Sequence, residues 1–325
     1  MNRRAILAML AALPVPPVQA QGRGTLPTVG WLVPGPSSLP AISTLEAVDE
    51  GMRRNGFIDG GNVRVVPRYA ANVPARIPGL ARELAGLGSR VIVTVGTTAV
   101  AAISATLPHM PIVLAGSIDP VAHGFARSLE RPGGRITGIV VPGASFVARE
   151  IAVLREAVPA AGTVAVFLNA TSASNDLFRG WLQAASTSAS LKLHLREIAT
   201  VADIAPAYAW AAAQSADAVL VVPDILFSTH CAVMARLATT HRLPTIGGDV
   251  THARVGALAG VGPDYDVIVR DVWRYIARIV RGADPATLAI EERPTLRIVV
   301  NRRAAEAMGM TLPPTLLARA DEVIE

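Results

Sequence analysis

Residues 90–99 read RVIVTVGTTA. Arg90–Val95 is an unbroken β-rich run of the kind that a parallel sheet buries on both faces. Gly96 interrupts it, and Thr97 and Thr98 lead directly into a helical stretch at 98–105. A strand, a glycine turn and a helix in so short a span form the unit from which doubly wound sheets are built. The same alternation extends in both directions. Upstream, a strand at Thr28–Val33 ends in the turn cluster Pro34-Gly35-Pro36-Ser37-Ser38. A helix follows at Ala41–Asn55, with Ile42, Leu45, Val48 and Met52 on one face and Gly56 as its stop. A strand at Asn62–Pro67 and a helix at Ala75–Leu87 complete the approach, and strands at Pro111–Leu114 and Ile136–Val141 lie downstream.

The rhythm then restarts. Helices are expected at Phe146–Ala157, Ser174–Ser188, Ile204–Ala213 and Ile225–Thr240. Strands are expected at Thr163–Leu168, Leu191–Glu197, Ala218–Val222 and Pro244–Ile246. Two such series in succession imply an α/β protein of two Rossmann-like, doubly wound lobes. Three pieces remain: an apolar run at Val255–Val261, a helix at 263–281 and a strand at Leu296–Val300 with a short helix near Ala304. The simplest allocation sends the chain back to the first lobe and forward again.

Composition narrows the function. Of 325 residues, 51% are hydrophobic and 4% aromatic, so the core is built from Ala, Val, Leu and Ile. Cys231 is the sole cysteine, which excludes a disulfide framework and a four-cysteine zinc site. Lys192 is the sole lysine and lies in a Leu-Lys-Leu sequence, which excludes a Walker-type phosphate loop. The net charge of +5 invites a nucleic-acid partner, but the arginines are scattered without a basic run or interleaved aromatics, so none is expected. Residues 1–20 (MNRRAILAML AALPVPPVQA) have a basic start, a short apolar run and a small-x-small cleavage site at 18–20. This is the layout of a secretory signal peptide, with a twin-arginine route left open by Arg3-Arg4. It places the mature chain outside the cytoplasm, in the periplasm.

In open parallel sheets, ligands bind beyond the carboxyl ends of the strands. The post-strand loops therefore supply the candidates. Ser37 follows the first strand. Gly96, Thr97 and Thr98 open a helix whose free N–H groups favour an anion, so the threonines act as caps, as carboxylate ligands, or as both. Ser117 and Asp119 follow the next strand; Asp119 before Pro120 reads as an N-cap or as a partner for an ammonium group. The second series offers Asn169 and Ser172 in NATSASN (169–175), Asp224 after Pro223, and Asp249 after Gly247-Gly248. Asp249 is a further candidate for a cationic group, or a surface-loop residue. The catalytic patterns are missing. The six histidines lack HExxH spacing, no GxSxG elbow occurs, and His230-Cys231 are helix neighbours that point apart. Neither a metal, nor a cofactor, nor an enzymatic activity is expected.

Several ordered blocks resemble the substrate-binding proteins of ABC transporters, in the group of tryptophan- and tyrosine-type solute receptors. They are 46–62 (EAVDEGMRRNGFIDGGN), 90–99, 111–120 (PIVLAGSIDP), 128–139 (SLERPGGRITGI), 257–264 (ALAGVGPD) and the C-terminal run at 298–325. Arg135 departs from the family's usual Asn. The resemblance implies a type I periplasmic-binding fold with a three-segment hinge. Its lobe one would be 24–141 plus 252–285 and its lobe two 142–251 plus 286–325. It also implies a monomer that closes on a small amino-acid-like ligand and docks on permease subunits of the inner membrane. The Gly96–Thr98 and Ser117–Asp119 loops would face the cleft from lobe one, and Asn169, Asp224 and Asp249 from lobe two. The loops at 34–38 and 170–175 vary in the family, so the ligand's identity does not carry over. An exported two-lobed enzyme, or a ligand-sensing partner of a membrane receptor, would use the same cleft.

Overall fold

The computed structural model describes residues 26–37 and 45–325; the expected signal peptide, Ser38 and the first residues of the helix expected from Ala41 lie outside them. The first series comprises β1 (Thr28–Val33), α1 (Leu45–Arg54), β2 (Arg64–Tyr69), α2 (Ile77–Gly86), β3 (Ser89–Thr94), α3 (Thr97–Thr106), β4 (Ile112–Ile118) and β5 (Ile136–Val141). The second comprises α4 (Gly143–Ala157), β6 (Thr163–Asn169), α5 (Asn175–Ala189), β7 (Lys192–Ile198), α6 (Ile204–Ala213), β8 (Ala218–Val221), α7 (Ile225–His241), β9 (Thr245–Gly247), α8 (Val250–Arg254) and β10 (Ala259–Pro263). The chain ends with α9 (Tyr265–Val280), β11 (Glu291–Glu292), β12 (Leu296–Asn301), α10 (Arg302–Ala307), α11 (Pro314–Arg319) and β13 (Glu322–Ile324).

Two sheets result, ordered β11-β5-β4-β3-β1-β2 and β13-β12-β10-β9-β8-β6-β7. Every pairing is parallel except that of β10 with β12. Within each sheet the first five strands follow the same 2-1-3-4-5 order. Both sheets therefore reverse direction beside their first strand, between β1 and β3 and between β6 and β8. In this topology the crevice at the reversal is where ligands bind.

The second and third boundaries between lobes differ from the expected ones. The return to lobe one was expected near 252, yet α8 and β10 belong to lobe two: β10 pairs with β9, Ala259 opposite Ile246, and with β12. The cause is a close approach of backbones. A Cβ on Gly260 would lie 2.4 Å from the Asp249 carbonyl oxygen, so only glycine lets the 249–250 turn lie flat on β10. The chain returns after Pro263. The last crossing was expected near 286, but β11 pairs with β5 in sheet one, so it falls after Glu292. A two-residue strand is too short to leave a periodic signal.

The returning helix α9 completes lobe one. Ile268, Val272, Trp273 and Ile276 recur at helical spacing and are buried against sheet one. Trp273 is fully buried, with ring centroids 6.1 Å from Phe57 and 6.2 Å from Trp31. Burying each such side chain stabilises the lobe by about 1.5–3 kcal/mol. The core of lobe two runs from Val147 to Leu316, so the C-terminal elements are integral to it. Many arginines are engaged in surface pairs, such as Arg179–Glu197 and Arg254–Glu322, which suits a solvated surface better than a basic patch. No helix among the described residues is long and apolar enough to cross a membrane.

Candidate ligand-binding cleft

The reversal points of the two sheets face each other across one cavity of about 300 Å³. Eight of the ten candidates from the sequence line it: Gly96, Thr97, Thr98, Ser117, Asn169, Ser172, Asp224 and Asp249. Ser37 is exposed and is not among the lining residues. Asp119 is not among them either. Its Oδ1 accepts a hydrogen bond of 2.9 Å from Ala122 N, and with φ of 36° it shapes the turn that follows β4. The cap reading of Asp119 is correct in kind, although it caps a turn rather than a helix.

Lobe one presents α3, whose N-cap is Gly96. Its first-turn N–H groups supply the positive end of the helix dipole. Thr97 is buried beside them. The Thr98 hydroxyl accepts a hydrogen bond of 3.0 Å from Ala173 N of the other lobe. Ser117 is buried and its hydroxyl has no partner, and the same holds for Oδ1 of the lining residue Asn72. Buried polar atoms in native proteins are nearly always paired, so these two mark capacity that a bound molecule would satisfy.

Lobe two presents carboxylates. Asp224 is the N-cap of α7. Its Oδ1 accepts from Leu226 N at 2.9 Å and from Asn169 Nδ2 at 2.8 Å. Asn169 is fixed in turn because its Oδ1 accepts from both Thr171 N and Thr171 Oγ1 at 3.0 Å. Burial raises the Asp224 carboxyl above its ordinary value, more than these two donors lower it. Asp249 is 8% exposed and caps α8 through Thr251 N at 2.7 Å. Its Oδ2 accepts from the Ser228 hydroxyl and lies 3.3 Å from His252 Nδ1. Burial again acts to raise it, but the His252 ring, Ser228 and Thr251 together hold it well below the carboxylate range. Two aspartates in similar post-strand loops are thus shifted in opposite directions by their surroundings. Gly248 brings them together: a Cβ there would lie 2.4 Å from Pro223 N, so only glycine lets the 223–224 and 248–249 loops abut.

Several lining residues carried no signal in the sequence. Phe146, Phe178 and Ile77 supply apolar wall. They lie on helices whose apolar positions read simply as core. Tyr265 enters from the second crossing, and burial, then Asp249 and Asp224, raise its hydroxyl so that it stays a hydrogen-bond donor. Its place follows from the Asp264 cap, whose Oδ1 accepts from Asp266 N at 3.1 Å and starts α9. Arg254 and Arg297 also line the cavity but are tied to Glu322, at 2.7 and 3.9 Å. Burial, then Asp249, pushes the Cys231 thiol up to about 11, which makes it unreactive. Among the described residues no group of three His, Cys, Asp or Glu is placed to hold a metal ion.

Two doubly wound lobes facing one cavity with polar and aromatic lining give the type I periplasmic-binding fold. Residues 31–324 match the ABC transporter substrate binding protein family, and the chain belongs to it. It is 20% identical over 280 residues to a tyrosine-binding protein of Clostridioides difficile, covering 85% of this chain and 80% of the relative. Its fold is similar to that of a conserved domain protein from Vibrio cholerae (TM-score 0.83, 24% identity, 91% of this chain and 99% of the other). It is likewise similar to a Streptococcus protein solved in complex with L-Trp (TM-score 0.84, 19% identity, 92% and 100%). The family is one of binding proteins, not of enzymes.

Proposed function

We propose that this chain is the exported solute receptor of an ABC importer and takes a zwitterionic amino acid with an apolar or aromatic side chain. The supporting observation is the opposite polarity of the two sides of this cavity. The N-terminus of α3 and unpaired hydroxyl capacity stand on one lobe, and Asp224 and Asp249 on the other. The ligand carboxylate would meet the Thr97 end of α3 and its ammonium would meet the aspartates. Phe146, Phe178 and Tyr265 would surround the side chain. The tyrosine-binding relative and the L-Trp-bound structure favour the same ligand class. Residues 1–20 would direct the chain to the periplasm, where it acts as a monomer. The two lobes would close about the three crossings, after β5, β10 and β11, and the closed form would dock on permease subunits.

A thermal-shift panel tests the ligand class. L-Tryptophan and L-tyrosine are compared with tryptamine, which lacks the carboxylate, and indole-3-propionate, which lacks the amine. A fitting amino acid stabilises the protein by about 2.7 kcal/mol at a hundredfold excess over Kd. Neither truncated analogue should reach a comparable shift. Equal shifts by tryptamine and tryptophan, or none by any amino acid, refute the reading.

A further inference from the structure

Beside the cavity the two lobes touch through a contact that none of the candidate ligand residues makes. Ser174 occupies the N-cap position of α5, where a serine hydroxyl ordinarily accepts a bond from its own helix. It makes no such bond. Its hydroxyl is instead 3.2 Å from Nε2 of His123, which belongs to the other lobe. Ser174 is 3% exposed and lines the cavity, so this contact borders the cavity. The imidazole is held in place from its own side. It stacks on Phe125 at 5.6 Å, and Phe125 packs on the core of lobe one. The turn that carries it is shaped by Asp119 through Ala122 N. Beside it, Ala173 N donates to Thr98 Oγ1 at 3.0 Å, so one loop of lobe two contacts lobe one twice.

We propose that His123 is a closure-positioning residue: its bond to Ser174 forms only when the lobes meet and sets how readily the cleft closes on its ligand. The uncapped start of α5 is the cost of keeping that hydroxyl for the other lobe. The inference rests on the receptor reading above, but it concerns closure and is measurable without ligand.

The test uses the full chain with spin labels on exposed positions of the two lobes, Arg82→Cys and Gln183→Cys. Cys231 is buried and does not compete for label. Interlobe distances are measured by pulsed electron resonance in ligand-free protein. In His123→Ala and in Ser174→Ala the open-to-closed ratio should rise about 3- to 10-fold, as expected for one net hydrogen bond. The double variant should add little to either single one. His123→Gln, whose amide nitrogen reaches the same hydroxyl, should return most of the closed population. Ser174→Ala should leave the melting temperature unchanged, since no helix cap is lost. Unchanged distances in both alanine variants, additive effects, or a glutamine variant as open as the alanine one overturn the assignment. L-Tryptophan and L-tyrosine are titrated in parallel. Failure of both to close the wild type counts against the ligand reading alone, because the His123 effect is read without them.

Discussion

Gly248→Ala tests whether the two aspartate loops are held together as described. The new Cβ would stand 2.4 Å from Pro223 N and 2.6 Å from Pro223 Cα, about 1 Å inside the 3.4 Å where ordinary contact begins. Both partners are backbone at the ends of β8 and β9, which pair directly, Val221 opposite Gly247. No flexible side chain is there to give way, so the loops must part. Overpacking of this kind costs about 1–3 kcal/mol, or a fall in melting temperature of about 2–10 °C. Parting the loops also separates Asp224 from Asp249. If the ligand ammonium meets the aspartates as proposed, losing one such charge-assisted bond would weaken affinity about 10- to 100-fold. Calorimetric unfolding and titration with the amino acid that binds measure the two effects. Gly180→Ala on α5 is the control: its Cβ meets open space, and the substitution should stabilise by about 0.4–1 kcal/mol. A Gly248→Ala protein with wild-type melting temperature and affinity would show that the loops do not abut and that the argument is wrong.

Glu150 on α4 is fully buried and neither carboxyl oxygen has a partner, and desolvation raises its pKa well above 4.5. A raised carboxyl makes the native state lose stability as pH rises from the unfolded-chain value through the folded one; Glu150→Leu should therefore stabilise by about 1–3 kcal/mol at neutral pH and by less near pH 4, read from denaturant curves at both. Asp249 has the opposite sign, because its depressed carboxyl contributes stability above about pH 3.8 that is lost as pH falls below it. Asp249→Ala should cost about 3 kcal/mol at pH 7 and flatten the acid limb of a pH-unfolding profile. Asp224→Ala removes the α7 cap at about 1 kcal/mol and leaves Asn169 Nδ2 unpaired, so chemical denaturation should report a loss of about 2–3 kcal/mol.

The alternation around 90–99 was sufficient to read both lobes, because strands buried on two faces and helices with one apolar face leave opposite periodicities. The second and third crossings were not readable. Whether 255–261 joins one sheet or the other depends on Gly260 meeting the Asp249 backbone, a contact between segments that pattern alone cannot pair. The loops of the site were readable for the same reason as the sheets: strand order reverses beside β1 and β6, and ligand crevices lie there. What failed was the direction of individual side chains. Asp119 follows a strand as Asp224 does, but at φ of 36° its carboxylate folds back on its own turn. Phe146, Phe178 and Tyr265 were hidden because an aromatic residue on a helix has the same periodicity whether it faces core or cavity.

The two halves of the cleft are chemically unlike, and this bears on how closure is driven. Lobe one brings N–H groups and hydroxyls, while lobe two brings carboxylates. These groups are spaced by a cavity of about 300 Å³ and do not satisfy one another across it. The direct clasps, Thr98 with Ala173 and His123 with Ser174, are neutral hydrogen bonds worth about 0.5–1.5 kcal/mol each. Moving the balance from 1:99 to 99:1 takes a ligand that binds the closed form about 10⁴-fold more tightly than the open one, about 5.5 kcal/mol, which exceeds both clasps together. Such a ligand would control the equilibrium, and the clasps would adjust its midpoint. A charged clasp in the place of His123 and Ser174 would favour the closed lobes without ligand and slow its release, so a weak neutral pair would suit the proposed receptor, which has to reopen.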